Sequence, residues 1–145
     1  MEEVWKPIPG YEGFYEVSDF GNIRRNETIT EENSRYGKTR LVMHKARVLK
    51  PGKTKRGYLL VVLCRDDGRK SHVVHRLVAS AFCKKVDGCE VVNHIDGNKT
   101  NNRAENLEWC TQKDNVHHAI RIGAKKLKNA AICEILNIQD QQEGE

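Results

Sequence analysis

Residues 91–120, VVNHIDGNKTNNRAENLEWCTQKDNVHHAI, set one histidine among polar residues able to share a site with it. His94 has an imidazole that titrates near neutrality, so it can take a proton from water under ordinary conditions. Asn93 and Asn115 offer amide carbonyl oxygens, which suit a hard divalent cation such as Mg²⁺ or Mn²⁺. A base and a hard cation together meet the needs of phosphodiester hydrolysis. Water must lose a proton in line with the leaving oxygen, while the cation offsets charge on the phosphate and the departing 3′ oxygen. His118, three residues after Asn115, falls on nearly the same helical face and is a further candidate metal ligand; a nucleic-acid contact or a surface role is the alternative.

Positioning these groups requires a strand that ends at the histidine, a loop, a returning strand and a helix. Residues 90–94 and 107–110 are predicted to be that strand pair. Thr111-Gln112-Lys113-Asp114 has the spacing of a helix start, with Thr111 as N-cap, and the helix is expected to run to Ile122 with Gly123 at its C-terminal left-handed position. Upstream, residues 57–64 read as the strongest strand, Asp66-Asp67-Gly68 as a tight turn, and residues 69–73 as the returning partner. The period then changes: Val74, Leu77, Val78, Ala81 and Phe82 recur at three- and four-residue steps, so residues 75–82 are predicted to be a short amphipathic helix. Nearer the start, residues 14–18 and 22–25 read as a hairpin, residues 26–38 as a polar loop, and residues 47–50 as a strand stopped by Pro51-Gly52. Residues 125–138 carry an apolar pattern that suggests one more helix before a polar end.

Charge is distributed unevenly. Residues 1–32 hold eight acids and three bases, whereas residues 35–56 hold nine Lys or Arg and no acid, within a chain of net charge +5. A one-signed stripe of this kind suits a polyanion. Lys53, Lys55, Arg56, Arg69 and Lys70 are predicted to lie at the ends and turns of the long hairpin, where a two-stranded ribbon can follow DNA phosphates. Arg76, opening the helix after it, is a further candidate phosphate contact. The five cysteines include no Cys-x-x-Cys pair, which speaks against a zinc ribbon and for free thiols, several of them buried. Trp109, an aromatic on a strand, is expected in the core.

The segment around Asn93-His94, Ile95-Asp96-Gly97-Asn98-Lys99, Asn106-Leu107-Glu108-Trp109 and Asn115 resembles the HNH endonuclease family, of the phage- and intron-encoded homing type. The resemblance covers about residues 58–120. The opening WKPIPGYEGFYEVSDFGNI is similar to a motif often found ahead of HNH domains in these nucleases. The resemblance implies a ββα-metal core, His94 as general base, Asn93 and Asn115 as metal ligands, and Asn106 as the residue that ties the two strands together and orients the histidine backbone. One position departs from the family pattern, since an aspartate often stands where this chain has Asn93; an amide holds a divalent cation more weakly than a carboxylate does.

The expected architecture is α+β: a β-rich DNA-binding module over residues 1–56, an HNH nuclease core over 57–123, and a helical tail over 124–145. That tail is too short for the complete helix-turn-helix that such nucleases often carry, so the chain is expected to be minimal or truncated there. The expected partner is double-stranded DNA, with no membrane and no small-molecule substrate, and the expected state is a monomer or weak dimer that nicks one strand. The opening residues lack an apolar signal core, and no stretch reaches the length of a membrane span, so the cytoplasm of a phage-infected or bacterial cell is the expected location. The alternative is a DNA-binding protein or a packaging accessory factor with weak or partner-dependent cleavage.

Overall fold

The computed structural model describes residues 2–122; Gly123 and the expected tail over 124–145 lie outside the described residues. The chain opens on three short antiparallel strands, β1 (Trp5–Pro7), β2 (Tyr15–Ser18) and β3 (Ile23–Arg25). The turn between β2 and β3 needs a glycine. Gly21 sits at φ +90°, a region open to residues without a Cβ, and its N–H closes on Ser18 O at 3.1 Å.

Residues 26–38, read from sequence as a loop, instead begin a hairpin: β4 (Thr28–Asn33) pairs along its whole length with β5 (Thr39–His44). Alternation of Thr and Ile in β4 against Leu41-Val42-Met43 in β5 supplies enough β preference to close it across the Gly37 turn. Strand β6 (Arg47–Val48) then joins the edge of β3, giving the sheet order β1-β2-β3-β6. A two-residue strand that the sequence did not suggest, β7 (Gly52–Lys53), pairs with the start of the long strand β8 (Leu59–Arg65), which returns across Asp66-Asp67 as β9 (Gly68–Val73).

Strand β9 runs directly into α1 (Val74–Phe82), whose Val74, His75, Val78 and Ala79 are buried. Strand β10 (Val91–His94) pairs with β11 (Leu107–Cys110), which a single 3-10 turn at Ala104–Asn106 precedes. Helix α2 (Gln112–Arg121) follows, and Thr111 caps it as expected, its side chain accepting from Asp114 N.

One core joins these parts. Ile8 just after β1, Tyr15 and Val17 from β2, Ile23 from β3, Val61 and Leu63 from β8, Val74 and Val78 from α1, and Val92 and Leu107 from the last hairpin are all buried in one cluster. Trp109 packs against this cluster, donating its indole N–H to Ala79 O at 3.2 Å, while Arg76 and Lys85 lie over its ring. Cys64, Cys83, Cys89 and Cys110 are free thiols; Cys110 is buried, and burial pushes its thiol up to about 11.

Candidate active site

His94 ends β10 with its side chain turned inward, opposite Leu107 in the strand register. The residue is 6% exposed, and its Nε2–H donates to Asn102 Oδ1 at 2.9 Å. That bond fixes the tautomer: the proton is on Nε2, and Nδ1 keeps a lone pair free to accept one. Tyr58 and His75 flank the imidazole, with ring centroids 6.0 Å and 5.0 Å away. Burial holds the His94 pKa below the usual histidine value; the Asn102 bond and the nearby Asp96 oppose that shift, and Lys99 reinforces it. His75 is lowered further, to about 4, by burial first and then by His94 and Arg76.

The loop after His94 is built by short polar side chains. Asn106 is the hub. Its Oδ1 accepts from Asp96 N at 3.0 Å, and its Nδ2 donates to Asp96 Oδ1 and to Asn101 O, both at 2.9 Å. Asp96 also accepts from Asn98 N and from Asn101 Nδ2, and these bonds hold its carboxyl below the usual carboxylate range. Ile95 N donates to Asn106 O at 2.8 Å, which sets the backbone just beyond the histidine. All the polar atoms of the Asn106 side chain are therefore spent on the loop.

A cleft of about 330 Å³ opens over this frame, lined among others by Asn93, His94, Lys99, Asn115 and His118. Asn93 donates its amide N–H to Glu108 Oε1 at 2.9 Å across the hairpin, and its carbonyl oxygen has no partner among the described residues. Asn115 reaches the cleft from the first turns of α2. The sequence-predicted set of His94, Asn93, Asn115 and His118 thus meets at one cleft. His118 is already engaged through Nε2 with Ile95 O at 2.9 Å, a contact that pins α2 to the strand end. Two amide oxygens fit a hard cation that keeps most of its own water, and they supply no negative charge. Among the described residues, no group of three His, Cys, Asp or Glu stands close enough to hold a metal.

The basic residues divide into two groups. A second cleft, sharing Tyr58, Val92 and Asn115 with the first, is lined by Lys55, Arg56, His75 and Arg76. Lys53 lies beside it on β7. Arg69 and Lys70 lie at the other end of the seven-residue strand β8, opposite Cys64 and Leu63, and Lys70 is paired with Asp67 at 2.8 Å. The basic residues expected at the ends and turns of the long hairpin thus form two sites roughly 15 Å apart, because β8 is extended throughout.

Sequence reasoning missed Tyr58, Lys99 and Asn102 at this site. Lys99 stretches over the Tyr58 ring, 4.8 Å from its centroid, to donate to Arg56 O at 2.8 Å. Asn102 was one of several asparagines in a polar run, with nothing in its local spacing to single it out.

Comparison with known proteins adds independent findings. Residues 3–64 match the model of the NUMOD4 motif, and residues 72–117 match that of the HNH endonuclease. DNA endonuclease I-HmuI of Bacillus phage SP01 is 37% identical over 138 residues, covering 95% of this chain and 68% of that protein. An uncharacterized HNH endonuclease of Acanthamoeba polyphaga mimivirus is 38% identical over 127 residues, and there the chain spans only 33% of the relative's length. The solved structure described as DNA binding and cleavage by the HNH homing endonuclease I-HmuI superposes with a TM-score of 0.65 at 38% identity, over 94% of this chain and 68% of that one.

Proposed function

The chain belongs to the HNH endonuclease family, and from that premise we infer that it is a metal-dependent DNA endonuclease with His94 as general base. The observation that carries this reading is the state of His94: buried, held at Nε2 by Asn102, and lining the same cleft as Asn93 and Asn115. In this reading Nδ1 takes a proton from a water in line with the scissile bond. The resulting hydroxide attacks phosphorus, the P–O3′ bond breaks, and the departing 3′ oxygen takes a proton from solvent water, giving 5′-phosphate and 3′-hydroxyl ends.

Asn93 and Asn115 would hold the divalent cation, Mg²⁺ or Mn²⁺, with His118, which lines the same cleft, as a further ligand. Bound there, the cation supplies charge stabilisation at the phosphate and at the leaving oxygen. Lys53, Lys55, Arg56 and Arg76 lie along the second cleft and suit the phosphates of the same duplex; Arg69 and Lys70 suit a more distant stretch. One site per chain favours nicking by a monomer or weak dimer, inside a phage-infected or bacterial cell. No helix among the described residues is long and apolar enough to cross a membrane.

Asn93 also favours a second reading, a DNA-binding protein with weak cleavage, because its neutral amide is half committed to Glu108. Supercoiled-plasmid nicking tests both. The expected result is Mg²⁺- or Mn²⁺-dependent nicking, lost in EDTA and reduced about 10²- to 10⁴-fold in His94→Ala, the usual worth of a general base. Equal nicking by parent and His94→Ala would overturn the assignment. A silent parent that Asn93→Asp makes active would establish the second reading.

A further inference from the structure

We propose that Asn102 is the positioning residue of the proposed base His94, and that the β2–β3 turn of the NUMOD4-matching segment holds Asn102 in place. The inference rests on the reading of His94 as base, and it joins a residue of the HNH-matching segment to a turn of the NUMOD4-matching one.

Three consecutive residues of that turn lie antiparallel to three of the catalytic loop. Gly21 meets Asn102: a Cβ added at Gly21 would lie 2.8 Å from Asn102 O and 2.9 Å from Asn102 Cβ, closer than packing allows. Phe20 meets Arg103, whose guanidinium stacks 4.3 Å from its ring centroid. Asp19 meets Ala104, whose N–H donates to Asp19 O at 2.8 Å. The turn is itself locked, since Ser18 is fully buried and its Oγ accepts from Asn22 N at 3.0 Å. A chain of direct contacts thus runs from the first sheet through Asn102 to the His94 ring.

Asn102 has the marks of a residue retained for that bond. It is 4% exposed, its oxygen is spent on His94, and its buried Nδ2 finds no partner among the described residues. A buried donor left unpaired is unfavourable, and such groups concentrate where function requires the arrangement. Without the Asn102 oxygen, nothing at Nε2 distinguishes the two neutral tautomers, and the ring with its proton on Nδ1 cannot act as base from that atom.

The test compares Asn102→Ala, Asn102→Asp and Gly21→Ala with the parent. It uses single-turnover cleavage at saturating protein, binding to uncleaved duplex in EDTA, and ring ¹⁵N spectra of His94. For Asn102→Ala we expect a cleavage rate about 10- to 100-fold lower, as when a group orienting a functional histidine is removed, with duplex affinity within about twofold. Its spectrum should change from Nε2–H to a tautomer mixture. Asn102→Asp, the same size and still an acceptor, should restore both the spectrum and most of the rate. Gly21→Ala should shift the spectrum in the same direction as Asn102→Ala. An unchanged His94 spectrum in Asn102→Ala, equal losses of rate and affinity, or no rescue by Asp would overturn the proposal. If His94→Ala cleaves like the parent, the base assignment falls, and the spectra still decide whether Asn102 holds the ring.

Discussion

The loop from Ile95 to Asn106 and the hairpin from Thr28 to His44 are both polar in sequence and both exposed for most of their length, yet they are built on opposite plans. In the loop, side chains bind backbone: Asn106, Asp96 and Asn98 close it on itself, and Asp19, Gly21 and Arg103 fasten it to the first sheet. In the hairpin, β4 and β5 pair with each other and, among the described residues, with no other strand, while Ile29, Leu41 and Met43 face outward. Rigidity at the site therefore comes from the density of side-chain to backbone bonds and owes little to regular secondary structure. Polarity alone does not distinguish a scaffold from an appendage.

The contrast can be broken most sharply at its hub. Asn106→Ala removes three bonds, one of them to a carboxylate, and should lower unfolding stability by about 4 kcal/mol. Urea denaturation measures this, and a loss under about 1 kcal/mol would mean the loop holds its shape without the hub.

A second effect, about 3 kcal/mol, concerns pH. The folded pKa of His75 is depressed to about 4 from 6.5. Above pH 6.5 neither state is charged, and the stability is intact. As pH falls from 6.5 toward 4 the unfolded chain takes up the proton first, so stability drains away across that window. His94 and His72, also lowered by burial, act in the same direction. His75→Phe should flatten the profile; an unchanged slope would assign it to other groups.

The smallest effect is expected where the other plan rules. Replacing residues 28–44 with an Asn-Gly turn should change stability by less than about 1 kcal/mol, since an isolated two-stranded hairpin is marginal by itself. A larger loss, read by thermal melting, would show that the hairpin supports the core after all.

The same contrast explains what could be read in advance. Residues 57–73 and 90–110 were legible because their apolar faces alternate or recur against one core, and Thr111 because a cap is local chemistry. His94, Asn93 and Asn115, which line one cleft, stood out in sequence because they share a short motif. The β4–β5 hairpin escaped because none of its residues joins the core cluster among the described residues, so its pattern has no buried face to declare; its sequence signal was the β-branched run Thr28-Ile29-Thr30 and the apolar Leu41-Val42-Met43 on either side of Gly37. Tyr58, Lys99 and Asn102 escaped because tertiary contact alone brings them to His94. That the basic residues lie at the ends and turns of the long hairpin was legible from the length of β8; the distance between the two groups required the register.

The shared core has a consequence for synthesis on the ribosome. Ile8, Val17 and Ile23 are buried against Val61, Val78 and Leu107, which are translated much later. The first strands therefore emerge with their apolar faces bare and wait for most of the chain before they can close. Contacts of such long sequence separation form slowly and leave sticky intermediates. Yield of native protein should thus depend on translation speed and chaperone supply more than final stability would suggest.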